Sequence, residues 1–236
     1  METSTIIDVN FDFRSDTPIK KDPDTSSPSL RRYHKILWSK PLPNGDFFEL
    51  DDTTPGAYLH HQSALGEFFL ASDAVIPTFR KEPRLFHILN AIPVDEREDF
   101  MRIGYTIGGM MIFPGNRINH KMTINGARGF HPRIKDRFDL TVECIRRHYS
   151  KERSPLSDPL DRYAEFFSLF SDFHGYVDFF LLQDLVNDDC TTVKFFMPFD
   201  DFRTGPVPGS AGAYRAYREL AMEFIKLRNN RILDLF

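Results

Sequence analysis

The chain has 236 residues, of which 41% are hydrophobic and 27% charged, with a net charge of −4; this balance excludes wholesale disorder and a polycationic protein. Two cysteines exclude a disulfide framework and point to a reducing compartment. No apolar run reaches the roughly 20 residues a membrane-spanning helix needs, and the opening METSTIIDVNFDF carries acids where a signal peptide carries bases, so a cytoplasmic location is expected.

The length fits one domain, residues 1–236. The 24 phenylalanines predict a core rich in aromatic rings. In residues 6–13, Ile7, Val9, Phe11 and Phe13 alternate with Asp8, Asn10 and Asp12, the period-two pattern of a half-buried strand. Residues 14–28 are polar and turn-rich and read as a mobile surface loop, after which Ser29 caps a helix over LRRYHKILW. Pro41 and Pro43 end that helix, and Asn44-Gly45 turns the chain into the strand DFFEL. Residues 58–76 read as strand, turn and strand. VDEREDFMRIGYTI follows Pro93 as a helix, and GGMMIFP is a buried strand.

Beyond this point PGNRINH reads as a turn, KMTIN as a short strand and TINGARG as a loop. RIKDRFDLTVECIRRHY places Ile134, Phe138, Val142, Ile145 and Tyr149 on one helical stripe. Asp158-Pro159 opens the helix PLDRYAEFFSLF, VDFFLLQDLV is another helix, and TTVKFFMPF is a late strand returning to the sheet. Ser210 caps the last helix, whose apolar face is Tyr214, Tyr217, Ala221 and Phe224. Strands gather in the first half and helices in the second, without regular βαβ alternation. The expected fold class is therefore α+β, with a mixed or antiparallel sheet packed by the later helices.

The informative segment is residues 114–137, PGNRINHKMTINGARGFHPRIKDR. Six bases stand there against the single acid Asp136, a net +5 that leaves −9 for the rest of the chain. Gly126 and Gly129 allow a tight backbone turn, and a loop running into a helix aims free N–H groups at an anion. Arg128 supplies a guanidinium fork for phosphate or carboxylate, and Asn116 and Asn125 add directional hydrogen bonds. The candidate ligand-binding residues are Asn116, Arg117, Asn125, Arg128, Arg133 and Arg137, with Arg31 and His34 as contributors. The ligand class is a nucleotide, a phosphate or a nucleic-acid backbone.

Asp136, Asp139 and Glu143 share one helical face. They read as ion-paired scaffold, with Glu143 bonded to Arg147 at i,i+4, rather than as acid–base or metal groups. His60 and His61 are adjacent in a strand and point to opposite faces, so no shared metal is expected. GxxxxGK[ST], GxGxxG, HExxH, CxxC and GxSxG are all absent, and neither a catalytic residue nor a cofactor follows from the residues. Two other function classes stay open. One is a structural or regulatory interaction module, including a homodimer; the other is an ADP-ribosyl-type transferase with YLHHQS and EFFLASD as dinucleotide walls.

The strings MTINGARGFHPRIKDRFDLTVECIRRHY, SPLSDPLDRYAEFFSLFSDFHGYVDFFLLQDLV and SLRRYHKILWSKPLPNGDFFEL resemble a bacterial family of uncharacterised proteins, over roughly residues 10–232. That resemblance implies a bacterial, cytoplasmic protein and supplies no activity, cofactor or site residue.

Overall fold

The computed structural model describes residues 7–77, 79 and 82–236. Residues 14–28, expected as a mobile surface loop, carry one short helix and the first residue of a second. Helix α1 (Pro23–Ser26) and helix α2 (Pro28–Trp38) each begin on a proline, with Asp22 and Ser27 as caps. The cap of α2 is Ser27 rather than Ser29. Its hydroxyl accepts from Leu30 N at 3.1 Å and donates to Asp16 Oδ1 at 2.6 Å, while Asp16 Oδ2 accepts from Ser29 N at 3.0 Å. One aspartate thereby fixes the start of a helix whose Leu30, Tyr33, His34, Leu37 and Trp38 are buried. Ser27→Ala is expected to cost about 1–2 kcal/mol, because it removes a cap and leaves Asp16 short of a donor. Urea unfolding monitored by circular dichroism checks this; an unchanged midpoint would show that Asp16 does not anchor α2.

Strands β1 (Lys40–Pro41) and β2 (Phe47–Phe48) pair antiparallel across the Asn44-Gly45 turn, where Gly45 has φ 89°. The larger sheet contains β3 (Leu59–Ser63), β4 (Gly66–Ala74) and β5 (Met110–Pro114) in that spatial order, all antiparallel. β3 covers β4 only from Gly66 to Leu70, and β5 covers it from Leu70 to Ala74. From Ala71 onward the β3 side of β4 therefore has no strand partner among the described residues, and α1 packs against β4. This half-open edge is where the polar residues described below collect.

The helices that follow are α3 (Phe86–Asn90), α4 (Val94–Gly104), α5 (Ile124–Phe130), α6 (Phe138–Tyr149), α7 (Ser157–Arg162), α8 (Ala164–Ser168), α9 (Phe173–Phe180) and α10 (Ala211–Leu233). α10 is capped by Ser210 and buries Tyr214, Tyr217, Ala221 and Phe224, the face expected from spacing. Arg215 and Arg218 reach Glu96 in the first turn of α4, at 3.3 and 2.8 Å. At its far end Asn229 accepts from Gly108 N at 2.7 Å and donates to Thr106 Oγ1 at 2.9 Å. A Cβ on Gly108 would lie 2.5 Å from Ile225 O, so only glycine lets α10 approach this closely. The expected aromatic core is present: Phe170 lies 5.0 Å from Phe179 and Tyr176 4.8 Å from Phe180, centroid to centroid.

The α+β class holds, with five corrections inside it. Residue 6 of the first expected strand lies outside the described residues; residues 7–13 bury Ile7, Val9 and Phe13 as predicted but form turns, because no described strand lies beside them. KMTIN and TINGARG are not strand and loop: Thr123 caps α5, accepting from Gly126 N at 3.3 Å. α6 starts at Phe138 rather than near Ile134, since Lys135 and Asp136 have positive φ and cannot extend it. α9 ends at Phe180, where Leu181 turns left-handed with φ 56°. Residues 191–199 add no strand to either sheet; Val193 makes one isolated bridge to Val186.

Candidate functional site

Because residues 124–130 are helical, Asn125 and Arg128 fall on neighbouring positions of one face, three residues apart. That face meets β4. Asn125 Nδ2 donates to Ser72 O at 3.0 Å. Arg128 is fully buried, and its Nη1 lies 2.6 Å from Asp73 Oδ2 and 3.1 Å from Asp136 Oδ1. Its Nη2 donates to Asp136 O at 2.8 Å and its Nε to Thr141 Oγ1 at 3.2 Å. The guanidinium also stands over the Phe113 ring, 5.7 Å from its centroid. Every nitrogen of Arg128 is thus engaged within the protein, and the fork expected to face an anion faces inward. Arg137 is committed in the same way, forming a buried pair with Asp139 and donating to Pro206 O at 3.4 Å.

Around Arg128 gather Asp24 of α1, Ser72 and Asp73 of β4, Asn125 of α5, and Asp136. Burial pushes the Asp73 carboxyl up to about 6; Arg128 pulls it down and Asp136 pushes it up further. Burial raises the Asp24 carboxyl well above the usual range, and the charges of Asp73, Asp22 and Asp136 add to that. Two oxygens here are buried without a hydrogen-bond partner, Asp24 Oδ1 and Asn125 Oδ1, while the Ser72 hydroxyl is met by the Tyr58 phenol. Tyr58 stands close enough to Asp24 to feel its charge, and its phenol hydrogen-bonds His34 Nδ1 at 3.0 Å. Asp24, Ser72 and Asp73 escaped the sequence reasoning. The available signal was an aspartate inside the apolar run of β4 and a second one beside Pro23.

The remaining candidates disperse. Asn116 accepts the Tyr163 hydroxyl on its backbone oxygen at 2.6 Å, and Arg117 is exposed before a short 3-10 turn over Ile118–His120. Arg31 binds the backbone oxygens of Tyr58, Ala57 and Asp52, and His34 is buried, its imidazole pushed down to about 3 by burial and by Arg228. Glu143 pairs with Arg147 at 2.7 Å and with Arg146 at 2.8 Å, as the scaffold reading expects. His60 is bonded to Thr54 and Glu67, and His61 to Glu49 O and Ser63.

Arg133 has a different setting. It is exposed, and among the described residues it makes no ion pair. With His131, Arg147, Arg153 and Ser154 it lines a groove of about 520 Å³, closed on one side by Phe202 and Asp201. Arg147 lies 2.6 Å from Asp201 and over the Phe202 ring at 5.0 Å, which fixes its fork at the groove wall. Arg153 is 84% exposed and 3.6 Å from an equally exposed Asp158, a pair too solvated to hold it. Burial and the Arg133 charge push the His131 imidazole below its ordinary value. The chemistry on offer is recognition of a negative group by the two guanidinium forks of Arg133 and Arg153, since the nitrogens of Arg147 are taken by Glu143, Asp201 and Arg153 O.

The fold and these sites define an α+β protein with a buried carboxylate–guanidinium cluster and a separate basic groove. The chain matches the model of a family of unknown function (DUF6994) over residues 7–232 and belongs to that family. No curated protein and no solved structure matches it. Among the described residues no helix is long and apolar enough to cross a membrane.

Proposed function

We propose that this protein binds an anionic small molecule, a phosphate or nucleotide, in the groove lined by His131, Arg133, Arg147 and Arg153. The observation that carries the reading is the convergence of three arginines on one groove in which Arg133 has no internal counter-charge. A volume of about 520 Å³ falls in the range that takes a nucleotide-sized ligand. Arg133 is the reaching residue, Arg147 the fixed wall and Arg153 the mobile rim. Of the six residues expected from sequence, this reading rests on Arg133. Arg128 and Arg137 support the loop that presents it, since both brace residues 131–137 from inside.

Isothermal titration with inorganic phosphate, pyrophosphate, ADP and a short oligonucleotide, at 50 and 200 mM salt, tests this. Pyrophosphate or ADP is expected to bind, and Arg133→Ala and Arg153→Ala are each expected to weaken binding about tenfold, as loss of one charge-assisted bond predicts. Both side chains are exposed, so the melting temperature without ligand should not move. A steep salt dependence confined to the oligonucleotide would assign the groove to a nucleic-acid backbone. Binding that ignores Arg133→Ala, or no binding in any arm, would remove the groove as the site.

A further inference from the structure

We propose that the pocket between α3, α4 and α10 binds a small carboxylate with an apolar tail, the head held by the Arg97 guanidinium and the Tyr214 hydroxyl and the tail lying among Leu89, Val94, Phe100 and Met101. The pocket has a volume of about 230 Å³. That lies below the roughly 300–1,000 Å³ of pockets for drug-sized ligands, and at about 30 Å³ per water it equals the volume of about eight waters. A molecule of about eight to ten non-hydrogen atoms is the size that fits. Val94, Arg97, Glu98 and Met101 follow the i, i+3, i+4, i+7 spacing of one helical face, so α4 presents two apolar and two charged side chains to the same pocket. Val94 is 70% exposed and Phe100 only 2%, so the pocket runs from the surface down to the core.

Of the two charges on that face, one is neutralised and the other is not. Glu98 pairs with Arg14 at 2.7 Å. Arg97 makes no ion pair among the described residues, and its Nε is buried without a hydrogen-bond partner. The arginines around it are committed, Arg102 to Asp99 and both Arg215 and Arg218 to Glu96. Buried donors are almost always hydrogen-bonded, and a guanidinium only donates, so what Arg97 lacks is an anion. Tyr214 supplies a second donor. It is buried, and its hydroxyl makes no hydrogen bond among the described residues. Burial pushes the phenol above its ordinary value, while the charges of Arg218 and Arg97 pull it back. It therefore carries its proton at neutral pH and stands near enough to Arg97 to feel its charge. The Phe100 ring meets the Tyr214 ring edge to face at 6.4 Å and holds the phenol in place. A carboxylate satisfies both donors, and its tail takes the apolar walls out of water. An anion without a tail meets only the first need, and a neutral hydrocarbon only the second.

The inference is independent of the anion groove, since no residue lines both, and the experiment separates the two. The full-length protein would be titrated calorimetrically with acetate, butyrate, hexanoate, decanoate and phenylacetate, and with hexanol as the neutral control. Hexanoate or phenylacetate is expected to bind, the first marking an aliphatic and the second an aromatic tail. Affinity should rise about fourfold per methylene from butyrate to hexanoate, and level off by decanoate, whose tail outgrows the pocket. Hexanol should bind about tenfold more weakly than hexanoate, because it offers Arg97 no charge. Arg97→Gln should weaken the tighter carboxylate about tenfold and Tyr214→Phe about threefold, whereas Arg133→Ala should leave it unchanged. Neither pocket substitution removes an internal hydrogen bond, so the melting temperature without ligand should not move. The chain-length series and the hexanol comparison need no variant. The proposal is overturned by silence of both tailed carboxylates, or by acetate or hexanol binding as tightly as hexanoate. Binding that ignores Arg97→Gln, or that is lost in Arg133→Ala, overturns it as well.

Discussion

Arg128→Ala is expected to destabilise the protein by about 3–5 kcal/mol, the cost of removing one partner of a buried ion pair and leaving the other charged. For a chain of this length that corresponds to a fall of about 10 °C in the melting temperature. The magnitude follows from what Arg128 holds. It is fully buried and touches two carboxylates, and it joins β4 to the turn before α6 through Asp73, Asp136 and Thr141. Its removal leaves Asp73 buried without its counter-ion, a larger loss than the desolvation regained. The deficit should depend on pH with a definite sign. Asp73 is pushed up to about 6 even with Arg128 in place, and without the guanidinium it rises further. Lowering the pH from 7 to 5 therefore protonates the Asp73 carboxyl and shrinks the difference between variant and wild type. Asp73→Asn in the Arg128→Ala background should recover part of the loss, and the double-mutant cycle isolates their coupling. Urea unfolding at pH 7 and pH 5 measures all of this. A cost below 1 kcal/mol would mean that the guanidinium is not needed inside, and would return it to the role of ligand-binding fork.

That outcome bears on how far the sequence could be read. Elements with a strong local signal were legible. β3 and β4 followed from the strand–turn–strand reading of residues 58–76, β5 from an apolar run, and α10 from Ser210 with its apolar stripe. The segments that failed are those whose structure depends on distant partners. Ile7, Val9 and Phe13 are buried as their alternation requires, yet a strand needs a neighbour, and residues 7–13 have none among the described residues. Residues 191–199 look extended, but Phe196 N donates to the Asp139 side chain at 2.8 Å and is not free for a ladder. Gly126 and Gly129 made residues 124–130 read as a loop. A Thr123 cap and the pull of Asp73 on Arg128 make them a helix, a tertiary preference overriding a local one.

The candidate site was legible in sign but not in direction. The excess of bases in residues 114–137 counts charges without saying where they point. Two of the six, Arg128 and Arg137, turn inward onto acids, one of them 55 residues away in the chain. Of the bases that stay outside, Arg133 lines the groove, and its companions Arg147 and Arg153 lie beyond the segment that drew attention. The cluster around Arg128 had still less to announce it, because α1, β4 and α5 contribute its residues from three separate stretches.

Arg228→Met is expected to cost about 2–4 kcal/mol, although it removes a cation from the core and nearly preserves side-chain volume. Two effects oppose each other. Arg228 is fully buried and no carboxylate pairs with it among the described residues, so its desolvation is a cost that methionine would relieve. Against this, Nη1 donates to Gly108 O at 2.9 Å and Met110 O at 2.7 Å, and Nε donates to Phe180 O at 3.1 Å. Each of these oxygens would be left buried and unpaired at about 1–3 kcal/mol, so together they outweigh the relief. The guanidinium also stands over the Trp38 ring at 5.6 Å, a contact methionine replaces only in part. The three oxygens belong to the end of α9 and to the approach to β5, so Arg228 is the point at which α10 fastens both to one another. Arg228→Ala should cost more than Arg228→Met, since it adds a cavity beneath Trp38 to the same unpaired oxygens. Thermal and urea unfolding of the two variants, with Trp38 fluorescence as a local probe, measure the order. An Arg228→Met protein as stable as the wild type would show that desolvation of the cation had balanced all three hydrogen bonds, and that α10 is held by its apolar face alone.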